Sequence, residues 1–153
     1  MPRLDLDAIP QTNATGYPAP HDAAVQGRWY RRLAPASGIT EFGASHVVLK
    51  PGAWSSQRHW HDSEDELLVV LSGEAVLIED GGRTVIGPGD VCAWPKVLAD
   101  GHHLVNESSA DCCFVVISGG TRTGGGYSDI DMVFTADTYF RKDGTPYDAN
   151  RTP

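Results

Sequence analysis

The chain has little with which to staple itself covalently. Its three cysteines, Cys92, Cys112 and Cys113, are an odd number with no CxxC pair. Adjacent cysteines rarely bridge each other, so neither a disulfide framework nor a thiolate zinc site emerges. They read as buried, reduced thiols, and a cytoplasmic location is expected. Positive charge is scarce too: 12 Lys and Arg stand against 20 Asp and Glu, for a net charge of −8. No basic cluster goes beyond Arg28, Arg31 and Arg32. Counterion-release binding needs a concentrated positive face, so no nucleic-acid partner is expected. No apolar run approaches the roughly 18 residues that cross a bilayer. Residues 1–10 carry charges where a signal peptide would have its apolar core, so neither a leader nor a membrane partner is expected.

What is present points to many short strands. The 153 residues, 41% of them hydrophobic, suffice for one domain with a substantial core. The 17 glycines and 10 prolines are scattered, which reads as turn punctuation. Residues 1–28, with Pro2, Pro10, Pro18 and Pro20, lack periodicity and are expected to form an extended arm. Over 29–120, short apolar runs recur about every 8 to 12 residues, the pattern of a sandwich or barrel. Strands are expected at 46–50, 58–61, 66–71, 75–79, 84–86, 91–94, 102–106 and 112–118. Asp80-Gly81-Gly82 suits a hairpin loop and Gly87-Pro88-Gly89-Asp90 a second turn. Residues 121–153 should pack on the barrel, with 129–134 returning as a last strand. The fold class is all-β.

Ser63-x-x-Glu66 looks like a helix capping box, yet the run Leu67-Leu68-Val69-Val70-Leu71 is unbroken. A surface helix would space its apolar residues at three and four, so the run is a strand. Apolar on both faces, it is expected to bury its outer face on a second copy of the chain. The arm would then add a strand to the neighbour's sheet, giving a homodimer.

His59 and His61 flank Trp60. On a strand, positions i and i+2 project from one face roughly 6 to 7 Å apart. Five residues on, Glu66 begins the apolar strand, and a tight turn over 62–65 would bring its carboxylate opposite the pair. Two imidazoles and a carboxylate suit a divalent transition ion such as Fe, Mn, Ni, Cu or Zn. Glu64 lies within the same reach.

The stretch PGAWSSQRHWHDSEDELLVVLSGE, residues 51–74, resembles the first motif of the cupin family: Gly, a spacer, His-x-His, three or four residues, Glu, six residues, Gly. Gly89, Pro95 and Gly101-His102-His103-Leu104-Val105-Asn106 echo the second motif more loosely. Small bacterial single-domain cupins also have stretches similar to SSQRHWH, DGHHLVN, YSDIDM and KDGTPY. The resemblance spans residues 45–120 and implies a jelly-roll barrel holding a metal through His59, His61, Glu66 and His102. Within it, the His, three residues, Asn spacing selects His102 over His103, and six residues before Gly73 select Glu66 over Glu64. The chain departs from the pattern in a six-residue spacer before His59 and in five residues, not one, between Pro95 and Gly101.

The resemblance implies a metal-dependent enzyme acting on a small oxygen-bearing molecule, as an isomerase, lyase or dioxygenase. Its alternatives are a non-catalytic module for a sugar or organic acid, and a structural metal brace in a dimer. Glu64 is the candidate base. Gly119-Gly120 and Gly124-Gly125-Gly126 would give a C-terminal lid its hinges, and Tyr127, Asp129 and Tyr147 would give it acid–base groups. Trp54, Trp60 and Trp94 are expected in the core, with His21 and His46 incidental.

Overall fold

The computed structural model describes residues 3–147. Among them run two short 3-10 turns and twelve strands, with one helical turn, α1 (Leu33–Ala36). The strands are β1 (Arg28–Arg32), β2 (Phe42–Leu49), β3 (His59–His61), β4 (Glu64–Ser72), β5 (Ala75–Glu79), β6 (Gly82–Ile86), β7 (Val91–Trp94), β8 (His103–Val105), β9 (Cys112–Gly120), β10 (Gly124–Tyr127), β11 (Val133–Thr135) and β12 (Tyr139–Phe140). All their pairings are antiparallel.

One layer is the sheet β1-β2-β9-β4-β7. The other joins β12-β11-β10-β3 to β6-β5-β8 through paired backbone hydrogen bonds between His59 and His102. This two-layer arrangement is the jelly-roll barrel that the strand spacing suggested.

Alternation along β4 sets the barrel's inside. Leu68 and Val70 are 3% and 1% exposed, whereas Leu67 and Leu71 on the opposite face are 37% and 49% exposed. The inward pair packs with Val47, Leu49, Leu77, Leu104 and Phe114 in the main core, and Trp94 closes it. The continuous apolar run is therefore buried on one face within the chain, and its outer face is open.

The two ends bear on two expectations. The arm folds on its own chain: Thr12 pairs with Tyr30 of β1, and Tyr17 is buried in a second core with Val25, Tyr127, Met132 and Phe134. The glycine-rich segment is no hinge, because Gly124–Tyr127 is a buried strand paired with β3. A Cβ on Gly125 would lie 2.0 Å from the Trp60 carbonyl oxygen, and one on Gly126 2.3 Å from the Trp60 indole. Close approach of two strands, rather than mobility, explains these glycines. The last strands are β11 and β12, and residues 129–131 form the bend before them. β1 lay outside the expected strands because its arginines mask the alternation that puts Tyr30 against the core.

Candidate metal centre

β3 carries His59 and His61 on its inward face, and β4 enters from the turn with Glu64 and Glu66 at alternate positions. The His59 Nε2 stands 3.1 Å from His61 Nε2, which stands 3.1 Å from Glu66 Oε2. Donor atoms of these three residues all lie within 4.8 Å of one another. His102, just before β8, brings its Nε2 to 3.4 Å from the same Glu66 oxygen.

The outer nitrogens decide what the inner ones can be. His59 Nδ1–H donates to the Gln57 carbonyl at 3.0 Å, and Ser56 Oγ lies 3.2 Å away. His61 Nδ1–H donates to Glu64 Oε2 at 3.1 Å. With their protons held outside, both Nε2 atoms present lone pairs to each other and to a carboxylate. Three electron-rich atoms this close need a cation between them, and one oxygen plus imidazole nitrogens is a donor set for a transition ion.

In the chain alone, a proton takes that place. Burial works against a charged His61, but the hydrogen bonds to Glu64 and Glu66 outweigh it and push the imidazole up to about 9. Burial drives His59 down to about 3, with the Glu66 charge opposing it. For Glu66, burial favours the neutral acid, yet hydrogen bonds from His102 and His61 hold it well below the usual carboxylate range.

His102 stacks on Trp94 with ring centroids 3.9 Å apart and planes 5° from parallel, and its buried Nδ1 has no partner among the described residues. His103 is also buried, but it donates from Nδ1 to the Ser56 carbonyl at 2.9 Å and meets the Trp54 ring edge-on. It does not reach the group around Glu66.

The three sequence candidates for acid–base work fall in different places. Glu64 sits on the far nitrogen of His61, behind the imidazole rather than beside its inner face. Tyr127 lies opposite His59 in the register of β10 and β3, with ring centroids 6.0 Å apart. Its hydroxyl shares hydrogen bonds with Tyr17 and Tyr139, and burial raises its phenol far above the ordinary value. Tyr147 is not brought to the group: its hydroxyl donates to the Asp131 carbonyl at 2.7 Å and Arg141 covers its ring. Asp129 is likewise turned away, paired with Arg58 at 2.7 Å.

Sequence reasoning missed the aromatic wall. Phe134 meets the rings of His61 and His59 at 5.6 Å and 6.4 Å, and Tyr17 meets Tyr127 edge-on at 5.7 Å. Tyr17 comes from the arm, and burial pushes its phenol up to about 12. The one signal for this wall was Gly124–Tyr127, whose small residues let a strand lie against His59–His61. Arg58, adjacent to His59, braces β3 from behind through Asp129 and Asp80 beside a surface cleft of about 370 Å³. That cleft does not include the histidines.

Residues 45–118 match the cupin domain family. Over 98% of this chain and 99% of the other, the fold is similar at 40% identity and a TM-score of 0.91 to a Silicibacter pomeroyi protein described as a sugar phosphate isomerase of the cupin superfamily. A putative sugar phosphate isomerase from Acidithiobacillus ferrooxidans is 25% identical, with a TM-score of 0.67 over 71% of this chain and 69% of that one. A polyketide cyclase from Streptomyces resistomycificus, 20% identical with a TM-score of 0.68 over 85% and 87% of the two chains, shares the fold. No curated protein matches the sequence.

Proposed function

The chain belongs to the cupin superfamily, and from that premise we infer that it is a metal-dependent isomerase acting on a small phosphorylated sugar. The observation that carries the reading is the meeting of His59 Nε2, His61 Nε2 and Glu66 Oε2 with their protons held outside. These three atoms and His102 Nε2 would hold one divalent transition ion. A bound ion would polarise a ligand carbonyl or hydroxyl oxygen.

The chain's own residues then divide the remaining work. Glu64 holds His61 in the tautomer that leaves its inner nitrogen free. Tyr127, kept protonated by burial and held by Tyr17 and Tyr139, packs its ring beside His59 and is no base. Phe134 and Tyr139 make that side apolar. The substrate class draws its support from the relative 40% identical to this chain. The open outer face of β4, with Leu67 and Leu71, supports association into a homodimer.

The test is proton NMR of aldose phosphates in heavy water with metal-loaded protein. Conversion to the ketose with deuterium entering at C1, lost in His61→Ala, is expected. Saturable binding without exchange or conversion would instead make the chain a binding module.

A further inference from the structure

We infer that Arg122 is the anion receptor of this site, a guanidinium placed to hold the phosphate of a ligand whose other end lies against His59, His61 and Glu66. The inference rests on the small-ligand reading above for the occupant, and on separate residues for its argument. Residues 121–123 form the connection between β9 and β10, and both flanks of Arg122 are pinned. Ser63 Oγ donates to the Thr121 carbonyl at 2.5 Å and shares a hydrogen bond with Thr123 Oγ1 at 2.5 Å. Gly120 turns the chain there at φ +114°, where a Cβ would lie 2.3 Å from the Ser63 carbonyl oxygen.

The Arg122 side chain lies over Phe134, with the guanidinium carbon 5.3 Å from the ring centre. Phe134 in turn meets the His61 ring at 5.6 Å, so one aromatic residue separates the cation from the histidine pair. A guanidinium stacked on a ring keeps the donors in its own plane free. Nothing in the described residues uses them: Arg122 makes no ion pair or hydrogen bond there, although Asp62 lies on the facing β3–β4 turn and Glu64 and Asp65 open β4. Other arginines are committed, Arg58 to Asp129 and Asp80, Arg83 to Glu107 and Arg141 to Asp131. On a chain of charge −8, an anionic ligand is repelled unless a cation is reserved for it. Arg122 is that reserve, and a planar fork matches phosphate or carboxylate oxygens pairwise.

The experiment is calorimetry at low ionic strength on the full metal-loaded chain and on Arg122→Ala and Arg122→Lys. The probes are inorganic phosphate, ribose 5-phosphate, ribose and ribonate. The intact chain is expected to bind ribose 5-phosphate more tightly than ribose. Arg122→Ala should lose about 10- to 100-fold of that affinity, the worth of a charge-assisted pair, with metal content and ribose affinity unchanged. Arg122→Lys should fall between. Loss on ribonate alone would assign the receptor to carboxylates and overturn the phosphate assignment. Equal affinity of the intact chain for ribose and ribose 5-phosphate, or full retention in Arg122→Ala, would overturn it as well. Metal content read on the same samples separates a failure of the metal reading from a failure of this one.

Discussion

The proton on His61 makes the metal-free fold sensitive to pH in a direction opposite to that of the metal-loaded fold. An unfolded histidine titrates near 6.5 and the folded His61 near 9. A raised folded value means stability that is fully present below pH 6.5 and is lost as pH rises through 9. The separation is worth about 3 kcal/mol at 1.36 kcal/mol per pH unit. Other groups weigh less in this window, although His46 and His103, which burial lowers as it does His59, favour the fold as pH rises past 6.5. Glu66 is ionised both folded and unfolded across it, because its folded value lies below an already low reference. His59, near 3 when folded, subtracts only a few tenths of a kcal/mol near pH 6.5 and nothing above about 7.5. Cys112, which burial pushes to about 11, lowers stability from about pH 8 upward, where the unfolded thiol begins to ionise, and Cys92 acts in the same direction.

Urea unfolding of chelator-stripped protein between pH 6.5 and 9 reads the effect directly. Across the interval the intact chain should lose about 3 kcal/mol more stability than His61→Gln does. With a divalent ion present the slope should reverse, since the ion displaces the same proton and binds better as it leaves. A metal-free intact chain that loses no more stability than His61→Gln from pH 6.5 to 9 would refute the reasoning.

Two further substitutions test the frame around the site. Gly125→Ala puts a methyl group 2.0 Å from the Trp60 carbonyl oxygen and should cost about 1–3 kcal/mol in urea unfolding by forcing β10 from β3. Leu67→Asp places a charge on the open face of β4, outside the core. It should leave monomer stability within about 1 kcal/mol while halving the mass seen by light scattering.

How much of this was legible in the sequence depends on how local each feature is. His59 and His61 share a face because strand residues alternate, and Glu66 follows across one short turn, so their meeting could be read from spacing. His102 was legible only through the second motif's spacing, since its approach depends on β8 lying beside β3. The aromatic wall was not legible. Tyr17 reaches the site from an arm without periodicity, and Phe134 from a strand displaced from the expected one. Three consecutive glycines read as a hinge because flexibility and close packing use the same residue; only the strand opposite, with Trp60, tells them apart. The five residues between Pro95 and Gly101 carry Val97 at φ +63° with its amide on the His61 carbonyl at 3.2 Å, a contact no spacing rule implies.

The most direct test of the central claim is metal stoichiometry by elemental analysis. The protein would be loaded in turn with Fe, Mn, Ni, Cu and Zn and dialysed at pH 8. The intact chain is expected to retain about one divalent ion, through the donor atoms that meet at Glu66. His61→Ala, folded by circular dichroism, should retain almost none. An intact chain that keeps no ion, or a His61→Ala chain that keeps as much, would contradict the account.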